Sequence, residues 1–268
     1  MSRTAVSIRA VPALLRIGFA EAVAYRAEFL VWILSTTMPL IMLALWSAVA
    51  RDAPVGRFGE REFTTYFLAT FIVRQLTASW AAWQLNYEIR NGTLALRLLR
   101  PVAPMLTFAV GNLAAQPLRL LVAVPVAVVW LAVTGFARLP HDPWMWGAFC
   151  LSVAGGWLLT FFANFAIGSL AFRLESAIKI MDVWLALYFV LSGYTIPVEL
   201  FPPSIRAIAE ALPFRYQIGL PVELMTGAHD GATALSLLGA QWLWVVAMFA
   251  LAIGLWRTGL RRFAAYGG

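Results

Sequence analysis

Two arginines stand where a bilayer would accept them least. Arg74 interrupts the apolar run 63–85, and Arg119 sits inside the run 107–134. A charge at mid-membrane costs about 2.5–3.5 kcal/mol on insertion scales, so each is expected to face the protein interior, an aqueous cavity or a partner chain. Such a cation either lines a pathway or, in the plainer case, snorkels or pairs with a structural acid. Asn112, Gln116 and Asn164 could line the same cavity, although polar side chains between membrane helices more often hold helices together.

A second polar island lies at 88–101, reading EIRNGTLALRLLRP between two apolar runs. Wound as one helix at about 100° per residue, it puts Arg90, Thr93, Arg97 and Arg100 on a narrow stripe, with Leu94, Ala95, Leu96, Leu98 and Leu99 over the rest. A helix of that kind lies at a membrane surface, its leucines in lipid or the bundle and its arginines toward phosphates or a protein partner.

Other chemistry is missing. Lys179 is the only lysine and is followed by Ile180, so no phosphate-cradling G-x-x-x-x-G-K-[ST] loop exists in these 268 residues. The single cysteine, Cys150, permits neither a disulfide framework nor a cysteine-rich metal site. His141 and His229 fall in separate expected loops, so no metal centre is expected. Ser169 has no histidine nearby to act as its base, which argues against intramembrane proteolysis.

The elements that must hold these residues are membrane helices. The chain is 62% hydrophobic and only 12% charged, with a mean hydropathy of +0.79. A soluble domain is nearer half apolar and a quarter charged. Spans are expected at 29–49, 63–85, 107–134, 144–172, 177–196 and 231–256. Pro117 and Pro125 should kink the third. Residues 1–26 carry Arg9, Arg16 and Glu21 in the stretch where a cleavable signal needs an apolar core, so they read as an interfacial helix with Val11, Leu15, Phe19 and Ala22 on one face. Trp144, Trp146, Trp242, Trp244 and Trp256 read as interface anchors.

Six spans leave both termini on one side. With the termini inside, that side holds Arg3, Arg9, Arg16, Arg26, the arginines of 88–101, Arg173, Lys179 and the C-terminal arginines. The other side has half as many basic residues, Arg138 among them, and most of the acids. The excess of Lys and Arg sets both termini, and segment 88–101, in the cytoplasm. The net charge of +7 is therefore topological, with no basic face for nucleic acid.

Between spans five and six, residues 193–217 read GYTIPVELFPPSIRAIAEALPFRYQ, too apolar for a free loop and too broken to span. Prolines bracket an apolar stripe of Ile205, Ile208, Ala209 and Leu212, and Arg206 with Glu210 makes an i,i+4 pair. The expectation is a short helix or helical hairpin dipping into the outer leaflet.

The whole arrangement resembles the permease subunits of type-2 ATP-binding-cassette (ABC) exporters. The likeness rests on Glu88, Arg90, Gly92-Thr93-Leu94, Leu98-Leu99 and Pro101 between spans two and three, and on Leu212-Pro213-Phe214 closing the re-entrant element. It implies an all-α polytopic membrane protein, a single permease domain over 1–268 with an interfacial helix (1–26), six transmembrane helices, a cytoplasmic coupling segment (86–104) and an extracytoplasmic re-entrant element (197–222). It implies further that separate P-loop ATPase subunits, which carry the ATP and Mg, dock at Glu88, Arg90, Gly92, Thr93, Leu94, Arg97, Leu98 and Pro101. A second permease chain, identical or related, would complete a substrate pathway past Arg74, Asn112, Gln116, Arg119 and Asn164. Gly193, Tyr194, Pro197, Phe201, Pro202, Pro213 and Phe214 would form the outer gate. The implied setting is a bacterial plasma (inner) membrane, with an amphipathic or lipidic substrate, peptide or antibiotic as cargo and with no cofactor or enzymatic site in this chain. The competing readings are an ion-coupled carrier, against which no buried carboxylate or inverted repeat is seen, and a membrane scaffold or passive channel.

Overall fold

The computed structural model of the protein describes residues 3–24, 31, 36–134, 140 and 142–263. The first part of the first expected span, with Arg26, Arg138 and His141, lies outside the described residues. Among those described, every regular element is helical, and a lone antiparallel bridge joins Val55 to Phe58.

In chain order the α-helices are α1 (Arg3–Ala24), α2 (Met38–Val49), α3 (Glu60–Thr77), α4 (Ala81–Arg90), α5 (Leu94–Leu98), α6 (Pro104–Ala114), α7 (Gln116–Thr134), α8 (Pro143–Ser169), α9 (Ile178–Leu191), α10 (Pro203–Ala211), α11 (Arg215–Met225) and α12 (Gly231–Leu260). Among the described residues, three stretches are long and apolar enough to cross a membrane: Pro104–Ala132, Pro143–Phe172 and Gly231–Leu260. This is an all-α, multi-pass membrane protein.

Helix α8 is the hub, packed by α12, α11, α4 and α3. Close approach is possible because its face is small: a Cβ on Gly168 would meet the Ala82 backbone at 3.1 Å. Gln241 of α12 ties the hub to α11, its Nε2 donating to the Ser152 carbonyl at 2.9 Å and the Tyr216 carbonyl at 2.8 Å. The two longest helices start on acidic caps. Asp142 accepts from the Trp144 amide and Asp230 from the Thr233 amide. The Thr233 side-chain and backbone bonds hold the Asp230 carboxyl below the usual carboxylate range.

Three expectations are corrected. Span two is two helices, α3 and α4, separated by extended backbone at Ala78. Segment 88–101 is also broken, because Gly92 takes φ +71 just past the end of α4 and only the five-residue α5 follows. Trp256 is no interface anchor: it is 8% exposed and packs on Phe165 and Phe172. The stretch expected as a short helix or helical hairpin holds two helices, α10 and α11, the second running on to Met225. Helix α1 packs on α6 where Gly18 meets Ala114 and Gly111.

Candidate functional site

The break in span two gathers the polar residues picked out in the sequence. Unwinding at 78–80 frees backbone groups that lipid cannot satisfy, so the neighbouring helices must do so. Asn112 of α6 accepts through Oδ1 from the Trp80 amide at 3.1 Å and the Ser79 hydroxyl at 3.0 Å. Gln116 donates to the Leu76 carbonyl at 3.0 Å, and Arg119 to the Gln75 carbonyl at 3.3 Å. On the other side Asn164 of α8 accepts from the Ala82 amide at 3.5 Å. Four side chains from three helices therefore clasp one interruption. Asn112→Leu, which removes the acceptor at a 1% exposed position, is expected to destabilise the protein by about 1–3 kcal/mol, the cost of buried unpaired donors. A lowered melting temperature in detergent checks this, and an unchanged one would show that the break is held without Asn112.

The break opens onto a groove of about 1450 Å³ between α1, α3, α4, α7, α8, α9 and α11. Arg74, Arg119 and Asn164 line it, whereas Asn112 and Gln116 stand behind its wall. Arg74 lies over the Tyr188 ring, 5.6 Å from its centroid, and Arg119 over Trp80 at 5.0 Å. The aromatic lining from Trp80, Trp83, Trp184 and Tyr188 and the amide of Gln217 escaped the sequence reading. The signal for the break was Thr77-Ala-Ser-Trp80, a run of small and polar residues inside a span.

At one end of α4, the 88–101 segment differs from the uninterrupted wheel. Gly92 caps α4 in the left-handed conformation that glycine adopts without strain. Arg97 turns inward: its Nε donates to Glu88 Oε2 at 2.8 Å, a second guanidinium nitrogen pairs with Glu88 Oε1, and its Nη1 donates to Thr107 at 2.8 Å. Its guanidinium also covers the Phe108 ring at 4.2 Å. The end of α4, all of α5 and the start of α6 are thereby tied together. Leu94 is fully buried and Leu98 half-buried, while Leu96 and Leu99 are 66% and 82% exposed. Arg90, Thr93, Arg100 and Pro101 are exposed as well. The outer surface of the segment is thus a pair of leucines set among arginines.

At the opposite end of α3, Gly193 takes φ +86, and its carbonyl accepts from the Tyr66 hydroxyl at 2.6 Å. Tyr194, 1% exposed, packs its ring at a tilt against Tyr188 and Phe189. Phe214 packs against Trp184, 4.6 Å between centroids. Pro197 and Pro213 are buried, Phe201 is half-buried and Pro202 is exposed. Six of the seven expected gate residues are therefore packed at least partly into the protein. Beside them lies an ion cluster that sequence reading did not assemble: Arg215 bonds Glu223 at 2.8 Å and approaches Glu210 at 3.4 Å, and His229 reaches Glu223 at 2.7 Å. Arg215 and Glu223 both lie on α11, Glu210 comes from the end of α10 and His229 from beyond α11, so the cluster joins groups that no single helical stretch of the sequence holds.

A family profile agrees with this architecture. Residues 38–267 match the profile of a family described as "ABC-2 family transporter protein". No curated protein matches the chain.

Proposed function

Because this chain belongs to the ABC-2 family of transporter proteins, we propose that it is the permease half of an exporter whose ATPase subunits dock on segment 88–101 from the cytoplasm. The carrying observation is the outward pair Leu96 and Leu99, set among Arg90 and Arg100 at the end of a groove-lining span. Exposed leucines ringed by charge suit a protein contact better than open water. In this reading six helical passes place both termini in the cytoplasm of a bacterial plasma membrane. A second permease chain, identical or related, faces this one. ATP and Mg belong to the partner.

The Arg97 ties give the coupling a route. Motor closure pushes α5, the Glu88–Arg97 pair carries that push to α4 and α6 together, and the break at 78–80 lets α4 move against α3. The groove walls shift as a result. Cargo runs past Arg74, Arg119 and Asn164, with Asn112 and Gln116 bracing the wall. The 193–214 region, from Gly193 and Tyr194 through Pro197, Phe201 and Pro202 to Pro213 and Phe214, closes the outer side. An amphipathic or lipidic molecule, peptide or antibiotic suits the aromatic lining.

The test is co-expression with the P-loop ATPase of its own cell that co-purifies with the tagged permease from native membranes. Vanadate-sensitive ATPase activity is expected to travel with the tagged permease through purification; activity that separates from a folded permease would overturn the reading.

A further inference from the structure

The charge inside the groove is lopsided. Among the described residues lining it, Arg74, Arg90 and Arg119 are the cations and Glu21, exposed on α1, is the one acid. Arg90 sits at the exposed end near Gly92, so the deep charges are Arg74 and Arg119. Arg74 lies over the Tyr188 ring, yet its Nε is buried with no acceptor. On the same lining Gln217 is 1% exposed, and its Nε2 also has no acceptor. One lining acceptor, Asn86 Oδ1, is likewise without a donor. The two deep guanidinium groups, with no described carboxylate beside them on the lining, suit a ligand that brings anionic oxygen atoms.

The remaining wall is apolar and aromatic. The volume of about 1450 Å³ exceeds the roughly 300–1,000 Å³ of an ordinary small-molecule pocket. That leaves room for a long hydrocarbon or multi-ring body beyond the head group.

We propose that the groove selects an amphiphile with an anionic head, a phosphate, sulfate or carboxylate, seated on Arg74 with Arg119 and Gln217 around it and its apolar body against Trp80, Trp83 and Trp184. A guanidinium gives such a head charge-assisted hydrogen bonds and planar geometry. A quaternary ammonium head has aromatic faces to meet but must sit beside two like charges. This assignment rests on the pathway reading above in one respect, that the ligand is cargo.

The test separates binding from movement. The permease alone, in nanodiscs of zwitterionic lipid, is titrated with two amphiphiles that share one brominated chain and differ in head, phosphate against trimethylammonium. The readouts are the saturable quenching of tryptophan fluorescence and the ligand-induced rise in melting temperature. The phosphate head is expected to act at about tenfold lower concentration, the scale of one or two charge-assisted bonds. Arg74→Gln is expected to erase that preference and Arg74→Lys to keep most of it. Gln217→Glu, which puts a carboxylate on the same lining, is expected to reduce it even if Arg74→Gln does not fold. Equal response to both heads, or a preference untouched by Arg74→Gln or by Gln217→Glu, overturns the seat. With the ATPase added in vesicles, ATP-dependent transfer of the phosphate amphiphile to the opposite leaflet supports its being cargo. Binding without transfer sinks that assignment and leaves the seat as one for a resident anionic lipid.

Discussion

Aspartate at both Leu96 and Leu99 is expected to strip the ATPase from the permease and to leave the permease folded. Both side chains are exposed, at 66% and 82%, so neither substitution buries a charge within the chain itself. Fully covering a leucine at a contact is worth about 1.5–3 kcal/mol, so losing two removes a factor of about 100 or more in affinity. The measurement is the amount of ATPase recovered with tagged permease, beside the permease's own gel-filtration profile. Normal recovery of the ATPase would refute the docking surface. Leu94 cannot serve this purpose: it is fully buried, and aspartate there would disrupt the segment from within. Gly92→Asp is a poorer test than the leucine pair, because it adds left-handed backbone strain at φ +71 and removes no contact side chain. Arg97→Ala gives the informative contrast. It severs the tie to Glu88 and Thr107 while sparing the outer surface, so ATPase recovery should persist as coupling between ATP turnover and cargo falls.

The second large effect lies at the other end of span two. Gly193→Ala places a Cβ 2.6 Å from the Tyr66 hydroxyl oxygen on a backbone with φ +86. Left-handed strain costs roughly 1–2 kcal/mol and loss of the Tyr66 hydrogen bond about another 1, so a destabilisation of about 2–3 kcal/mol is expected. Tyr66→Phe removes the clashing oxygen together with the hydrogen bond and should cost only about 1 kcal/mol alone. The double variant should therefore be less destabilised than the sum of the two single changes. Melting temperatures of the four proteins decide it, and strict additivity would mean that the Tyr66–Gly193 contact is not what holds this turn.

The class of fold was legible because composition dictates it: no water-soluble packing hides a chain that is 62% hydrophobic. The short helix α10 was legible too, since Pro202-Pro203 and Pro213 punctuate the segment and Arg206 with Glu210 fits helical spacing. The break in span two was not. Residues 77–80 are uncharged and pass as membrane helix, and the acceptors that stabilise their unwound form come from Asn112 and Asn164, 32 and 82 residues away in sequence from the amides they cap. Hydropathy carries no record of such partners. The helical wheel for 88–101 failed for a local reason. It wound through Gly92, and with the helix broken there Arg97 swings back onto Glu88 while Leu94 and Leu96 part company, one inside and one outside. Of the five residues expected along the pathway, Arg74, Arg119 and Asn164 do share the groove lining. The polarity that marked Asn112 and Gln116 is spent on backbone groups.

Site-directed cross-linking tests the central claim, a separate ATPase seated on the 88–101 segment, most directly. Cys150→Ser removes the only cysteine, after which single cysteines are placed at Leu96, at Leu99 and, as a control, at Leu113 of α6, which is 40% exposed. Membranes from cells that also make the ATPase are treated with a short bifunctional thiol-to-amine reagent. An adduct of permease and ATPase is expected from positions 96 and 99 and none from 113. No adduct from 96 and 99, or an equal one from 113, would contradict the account.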